Sequence, residues 1–194
     1  MNSKIAVSLN RLSKNYGSTR GIFEVTFDVY AGEVMGFLGP NGAGKTTAIR
    51  TLLGLIKATS GAATILGKNA LIPNVELRRK IGYLPGIAAT YDRYTALGYL
   101  DFIARMRGLE LEAEIRTLAR RLDLDINEHI HDLSKGNRQK VSVIQAFMHS
   151  PEVLFLDEPT SGLDPLVQRE FEKILDETRD RGAAIVLSSH VLSE

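Results

Sequence analysis

A glycine-rich loop, GPNGAGKTT at residues 39–47, constrains the fold of this chain more than any other feature. It follows VMGFL, a short apolar run at 34–38. It precedes TTAIRTLLGLI at 46–56, whose apolar residues recur at helical spacing. A strand, a glycine-rich turn and a helix in this order match the phosphate-loop pattern. The sequence therefore predicts an α/β fold that holds a nucleoside triphosphate at the amino end of this helix.

The residues of the loop have separate predicted roles. Its glycines let backbone N–H groups converge on phosphate oxygens, and the helix end adds a partial positive charge. Lys45 is expected to reach the β- and γ-phosphates, and the Thr46 hydroxyl is expected to bind Mg²⁺. The predicted nucleotide-binding residues here are Gly39, Pro40, Asn41, Gly42, Ala43, Gly44, Lys45, Thr46 and Thr47.

Composition excludes several classes of function. The chain has 194 residues, enough for one substantial core, with 24 Lys and Arg against 23 Asp and Glu. This balance gives no strongly basic surface, so a nucleic-acid partner is not expected. The sequence has no cysteine, which excludes disulfides and thiol chemistry and fits a cytosolic protein. Because no apolar run approaches the roughly 20 residues of a membrane span, any membrane role is expected to depend on a partner.

Apolar patterning predicts two kinds of strand and a set of helices. Alternation at 5–9 and 23–29 predicts half-buried strands, which together with a short strand at 62–67 form an antiparallel sheet beside the main one. Continuous apolar runs at 153–158 and 183–189 predict central strands covered on both faces. Helices are predicted at 99–109, 111–122, 141–149 and 164–180, the last with Asp164 as its cap.

The predicted fold class is α/β: a P-loop ATPase core with a mostly parallel sheet, an antiparallel β subdomain and an inserted helical subdomain. The expected division of this single domain is 1–87, 88–150 and 151–194. In such open sheets, ligands bind at the carboxyl ends of the strands.

Two acidic residues end the apolar strand VLFLDE. Asp157 is predicted to act on Mg²⁺ through a water molecule, and Glu158 is the candidate general base. His190 follows the next buried strand, where it could contact the γ-phosphate. The alternatives are an acidic strand end that faces solvent and a histidine with only a structural role. The phosphate loop favours the catalytic interpretation, since both motifs then describe one site.

Four motifs in one order carry a family resemblance. GPNGAGKTT, LSKGNRQ at 133–139, LFLDEPTSGLD at 154–164 and SSH at 188–190 resemble the motifs of an ATP-binding cassette (ABC) transporter ATPase of the exporter-like, multidrug or antibiotic type. The resemblance covers essentially the whole chain. It implies that ATP and Mg²⁺ are bound, and that Lys45, Glu158 and His190 are catalytic.

The resemblance also assigns residues outside the loop. Tyr16 matches the aromatic residue that stacks on adenine in this family. From the residues alone, Ser134 is a helix cap and Gly136 keeps the backbone accessible. The resemblance implies that Ser134 and Gly136 complete the ATP site of a second ABC ATPase domain in a head-to-tail dimer. Asp164 would then help to couple the two sites.

One position departs from the family pattern. The family usually has a glutamine at the entrance to the helical block, where it contacts Mg²⁺ and the attacking water. This chain has Gly86 there. We expect the departure to affect hydrolysis more than nucleotide binding.

The function that we predict is that of the ATPase subunit of a membrane transporter, at the cytoplasmic face of the membrane. Its partner would be a transmembrane permease, contacted near residues 91–100. One alternative is a soluble ABC ATPase acting on ribosomes or DNA, although such proteins usually carry two cassettes or a long coiled-coil insertion. The other is a regulatory module that holds ATP and hydrolyses it poorly. Gly86 favours this module, whereas Glu158 and His190 oppose it.

A last expectation concerns the end of the chain at SSHVLSE. The resemblance implies further strands and a helical tail, so the sequence is expected to be a C-terminally truncated cassette. In that case the strand at 183–189 would lack a neighbour and form an open edge.

Overall fold

A computed structural model describes residues 4–17, 20–40, 42–87 and 91–189 of the chain. The strands are β1 (Ile5–Asn15), β2 (Gly21–Tyr30), β3 (Val34–Leu38), β4 (Ser60–Ile65), β5 (Lys68–Asn69), β6 (Ile81–Leu84), β7 (Val153–Asp157) and β8 (Ala184–Ser189). The α-helices are α1 (Lys45–Leu52), α2 (Val75–Arg79), α3 (Ala96–Met106), α4 (Glu112–Arg121), α5 (Lys135–Phe147) and α6 (Pro165–Asp180).

The first sheet is antiparallel, as predicted, with the strand order β2-β1-β4-β5. Strand β1 extends well beyond the predicted end at residue 9. The pairing of β1 with β2 is irregular between Leu9 and Leu12, and Arg11 has a left-handed backbone with φ 46°. A bulge of this kind shifts the alternation of side chains, so a strict period of two does not reveal the second half of the strand.

The second sheet is parallel, with the order β3-β8-β7-β6. Strand β8 pairs with β3 on one side and β7 on the other. The prediction that the 183–189 strand forms an open edge is therefore wrong. Crossover connections decide which strands become neighbours in a parallel sheet, and a local pattern carries no information about them.

Both faces of the parallel sheet are covered, which explains the continuous apolar runs of β7 and β8. Phe155 and Val186 face the antiparallel sheet and α1 in one buried cluster. Leu154 and Leu187 face the opposite way, into a cluster with the helices of the 88–150 region. The fold class predicted from the sequence is confirmed in each of its parts.

Helix boundaries differ from the predicted ones for local reasons. Helix α1 stops at Leu52 instead of residue 56, because Gly54 takes a left-handed backbone with φ 64°. Helix α5 begins at Lys135, six residues before the predicted start. The prediction missed these residues because the first turns of the helix are polar and show no apolar period. Within the described parts of the chain, no helix combines the length and the apolar character required to cross a bilayer.

We predict that His149, just after α5, makes stability depend on pH. The Ile81 carbonyl accepts a hydrogen bond from its Nε2 (3.1 Å), and its Nδ1 is buried without a hydrogen-bond partner among the described residues. Burial, and then the nearby Arg107 charge, lower the pKa of His149 to about 4. The unfolded chain therefore binds more protons than the folded one between about pH 6.5 and pH 4, and stability falls as pH falls through that window.

Urea unfolding at pH 7 and pH 5 measures this effect. The wild type is expected to lose about 2 kcal/mol from this group, since each unit of pKa shift corresponds to about 1.4 kcal/mol. His149→Gln should remove most of the loss, whereas His131→Gln, at an exposed histidine, should not. An equal pH dependence in the wild type and His149→Gln would contradict the assignment.

Candidate nucleotide-binding site

The glycine-rich loop joins the carboxyl end of β3 to the amino end of α1. Gly44 is the N-cap of α1 and has φ 96°, and a Cβ there would lie 2.7 Å from Ile22 Cγ2. Only glycine fits this position. No side chain caps the helix and no acidic residue lies in its first turn, so the positive helix end is available to an anion.

This helix end lines a cleft of about 790 Å³. Most of the predicted nucleotide-binding and catalytic residues meet there. The lining consists of Tyr16, Arg20, Gly21, Pro40, Gly42, Ala43, Gly44, Lys45, Thr46, Thr47, Arg50, Gly86, Ile87, Asp157 and Glu158. Of the other predicted loop residues, Gly39 contributes its carbonyl to the Lys45 ammonium. Asn41 and His190 lie outside the described residues.

Lys45 lies between the loop and the candidate base. Its Nζ donates to the Gly39 carbonyl and lies 3.5 Å from Glu158 Oε1. The side chain is 9% exposed, so the ammonium is largely withdrawn from water. A lysine on a flexible stem can move from these oxygens to those of a phosphate. The position of the Lys45 ammonium is therefore suited to binding a triphosphate next to the Glu158 carboxylate.

Asp157 and Thr46, the two predicted Mg²⁺ residues, are in direct contact. Thr46 Oγ1 donates a 2.8 Å hydrogen bond to Asp157 Oδ2, and the Asp157 residue is only 2% exposed. A hydroxyl and a carboxylate are the hard oxygen donors that Mg²⁺ prefers, and few protein ligands suffice when phosphates supply others. The residues present therefore fit the ion.

Ser188 is a residue of the site that the sequence analysis missed. Its Oγ donates a 2.6 Å hydrogen bond to Asp157 Oδ1, from the neighbouring strand β8. The available signal was the hydroxyl pair of SSH at the end of a buried strand, but only its histidine was considered.

Glu158 has an unusual backbone for a residue with a side chain. Its φ of 53° lies in the left-handed region, and its N–H donates to the Ser188 carbonyl at 3.1 Å. Its side chain is 22% exposed and lines the cleft. Strained backbone of this kind concentrates at functional sites, where the surrounding structure holds it in place.

Comparison with known proteins shows the family of this chain. The family model for the ABC transporter family matches residues 22–161. The chain belongs to this family. Bacitracin transport ATP-binding protein BcrA of Bacillus licheniformis is 38% identical over 186 residues, covering 94% of this chain and 61% of BcrA. This chain thus spans about three fifths of the length of that relative.

Solved structures agree with this identification. A structure of the ATP binding subunit of an ABC transporter has a TM-score of 0.88 and 33% identity, covering 97% of this chain and 80% of that one. The cassette MJ0796, in a dimeric post-hydrolysis state bound to ADP and Pi, has a TM-score of 0.83 at 22% identity and thus shares the fold; the match covers 96% of this chain and 89% of MJ0796. The predicted family and fold class are confirmed.

Tyr16 lies at the rim of the cleft of this cassette and is 49% exposed. Lys14 Nζ lies 5.0 Å from the centre of its ring, and the Tyr16 N–H donates to the Arg20 carbonyl. An exposed ring at this rim is placed to stack on a base, and that role stays a prediction.

Ser134, Gly136 and Asp164 do not line the cleft of their own cassette. Ser134 is exposed and caps α5, where its Oγ accepts from the Asn137 N–H at 3.2 Å. A Cβ on Gly136 would lie 2.7 Å from the Gly162 carbonyl oxygen, so glycine is needed for a close backbone approach there. The amino end of α5 is therefore packed against the segment that leads to α6.

Asp164 caps α6, as predicted. Its Oδ1 accepts from the N–H groups of Leu166 and Val167, both at 3.0 Å. The Val167 hydrogen bond, with a smaller contribution from Leu166, lowers the pKa of Asp164. One oxygen of this carboxylate therefore caps its own helix.

A buried glutamine links α5 to the acidic pair. Gln139 Nε2 donates a 3.1 Å hydrogen bond to the carbonyl of Pro159, the residue after Glu158. Gln139 lies within LSKGNRQ, but a polar residue in a polar run gave no sign of burial. Movement of the exposed end of α5 can thus reach the backbone beside the candidate base.

Proposed function

We propose that this cassette binds and hydrolyses Mg-ATP as the nucleotide-binding domain of a membrane exporter. The observation that carries the proposal is the convergence of the phosphate loop, Lys45, the Thr46–Asp157 pair and Glu158 in one cleft. The relative BcrA, a bacitracin transport ATP-binding protein, supports transport as the use of this energy. We further propose that the chain is one domain divided at residues 88 and 151.

The residues of the cleft have separate proposed roles in ATP binding and hydrolysis. Backbone N–H groups at the start of α1 and the Lys45 ammonium bind the phosphates. Thr46 and Asp157 would hold Mg²⁺, which neutralises charge on the β- and γ-phosphates when bound. Glu158 takes the proton of the attacking water as that water displaces ADP from the γ-phosphorus. His190 is proposed to contact the γ-phosphate.

We propose a head-to-tail dimer with ATP at the interface. The amino end of α5, with the exposed Ser134, is a second anion-binding helix end that its own cleft does not use. In a head-to-tail arrangement this end faces the γ-phosphate held by the other cassette. The cassette MJ0796 is dimeric when bound to ADP and Pi, which supports a dimer. ATP binding would close the dimer and hydrolysis would open it.

The permease contact is proposed to lie on the helical region near residues 91–100. Tyr91 and Tyr94 are exposed there, and Tyr94 stacks on the exposed Phe102 at a centroid distance of 6.0 Å. Aromatic side chains of this kind are enriched at protein interfaces. This contact would keep the cassette at the cytoplasmic face of the membrane.

Single-turnover hydrolysis separates this function from that of a regulatory module that only holds ATP. With protein in excess over Mg-ATP, we expect all bound ATP to become ADP and Pi. Retention of intact ATP would support the regulatory module instead. Co-purification of the cassette with a co-expressed permease tests the transport role, and association with ribosomes or DNA would favour the soluble alternative.

Gly86 yields a prediction about turnover. A Cβ at residue 86 would lie 3.4 Å from Asp157 Oδ2, an ordinary contact, and the backbone is not in the left-handed region. The backbone at residue 86 therefore accepts a Cβ without strain. Gly86→Gln should leave ATP affinity within about threefold, roughly 0.7 kcal/mol, because the loop supplies most of the contacts. Turnover should change by more than that.

Gly86→Ala is the matched control, because it adds the Cβ without the amide. It should leave both affinity and turnover near the wild-type values. A large loss of affinity with unchanged turnover in Gly86→Gln would show that residue 86 does not occupy the expected place.

A further inference from the structure

Ser188 contacts both acidic residues of the site. Its hydroxyl donates to Asp157 Oδ1 at 2.6 Å and accepts from the Glu158 N–H at 3.3 Å. The Ser188 carbonyl accepts from that same N–H at 3.1 Å. Since a serine hydroxyl has one proton to donate, Ser188 gives it to the carboxylate. Ser188 is fully buried, so water does not compete for this bond.

The Asp157 carboxylate is thereby held from two sides. Oδ1 accepts from Ser188 in β8, and Oδ2 accepts from Thr46 in α1. Rotation about the Asp157 side chain would break both bonds within an environment where Asp157 is only 2% exposed. Together with the Thr46 bond, the Ser188 bond thus fixes the orientation of the carboxylate plane, with one oxygen toward the phosphate loop.

We propose that Ser188 is a positioning residue that fixes the Asp157 carboxylate in the orientation in which it would hold Mg²⁺. This inference rests on the proposed function, since it concerns the metal that accompanies ATP. Residues that orient a metal-binding carboxylate alter metal affinity by about 10- to 100-fold in other proteins, although they do not touch the metal. The same hydroxyl also holds the strained backbone of Glu158, so the two acids are positioned together.

If Ser188 positions Asp157 for Mg²⁺, its removal should lower the nucleotide affinity measured with Mg²⁺ and leave the affinity measured without metal almost unchanged. The probe is a fluorescent, non-hydrolysable ATP analogue, titrated with excess Mg²⁺ and again with EDTA. The ratio of the two affinities measures how much Mg²⁺ strengthens binding. Ser188→Ala should lower this ratio about tenfold and change the affinity in EDTA by less than twofold.

Ser142→Ala is the matched control. Ser142 is also buried, but its hydroxyl donates only to the Arg138 carbonyl in the same helix. It should leave both affinities unchanged. Ser188→Thr keeps a hydroxyl and should restore most of the ratio. Should Ser188→Ala fail to fold by circular dichroism, Ser188→Cys, which is nearly isosteric and a weak donor, is expected to lower the ratio in the same measurement.

The outcomes separate this inference from the proposed function. A folded Ser188→Ala or Ser188→Cys with an unchanged ratio would overturn the role of Ser188 alone. An equal loss of affinity with Mg²⁺ and with EDTA would do the same, because it would indicate a general structural role. Absence of nucleotide binding by the wild type would instead refute the proposed function.

Discussion

Replacing Glu158 by glutamine is expected to lower ATP turnover by about 100-fold or more, because the amide cannot accept a proton from water. An amide is nearly isosteric with a carboxylate, so the substitution keeps the shape of the cleft and removes only the charge that lies 3.5 Å from Lys45 Nζ. Nucleotide binding should persist. Phosphate release at saturating Mg-ATP measures turnover, and titration with a fluorescent ATP analogue measures binding.

Glu172→Gln supplies the control for this exchange. It makes the same chemical change on an exposed part of α6, away from the cleft, and turnover should stay at the wild-type level. Turnover within threefold of wild type in Glu158→Gln would show that another group takes the proton.

Replacing Ser134 by arginine is expected to abolish ATP-dependent dimerisation and to reduce ATP turnover by about tenfold or more. Ser134 is exposed at the amino end of α5, so the new side chain disturbs no core. Its bulk and charge would obstruct the surface that we propose meets the second cassette. ATP affinity of the single chain should hold, since Ser134 does not line its own cleft. Steady-state ATPase rates and equilibrium binding measure the two effects.

Loss of the helix cap accounts for only about 1 kcal/mol of stability, and Ser134→Asn tests this separately because asparagine also caps helices. Ser134→Asn should keep the fold and any dimer that tolerates a small side chain. If Ser134→Arg dimerises and hydrolyses ATP like the wild type, the second helix end has no part in the site.

The features that the sequence predicted well are those encoded within a few residues. The phosphate loop needs Gly44 for its backbone and Lys45 for its charge, and both requirements are local. Asp164 caps α6 because an acid before Pro165 satisfies the first N–H groups of a helix. The acids at the end of β7 were located because a continuous apolar run that stops at two carboxylates indicates a buried strand reaching a site.

The features that it missed depend on which strands and helices become neighbours. Ser188 reaches Asp157 only because β8 lies beside β7, whereas the truncation implied by the family resemblance led to the expectation of an open edge at β8. Gln139 is buried because α5 begins earlier than its apolar residues suggest. For Gly86, the sequence shows that a side chain is missing. Only the structure shows that a Cβ at this position would be in ordinary contact with Asp157.

The mass of Glu158→Gln in solution tests the central claim, an ATP sandwich between two cassettes, most directly. Light scattering at saturating Mg-ATP should give the mass of two chains, because ATP bridges the cassettes and is not consumed. Without nucleotide, and in the double variant with Ser134→Arg, it should give the mass of one. A single-chain mass for Glu158→Gln, under conditions where ATP is shown to be bound, would contradict the account.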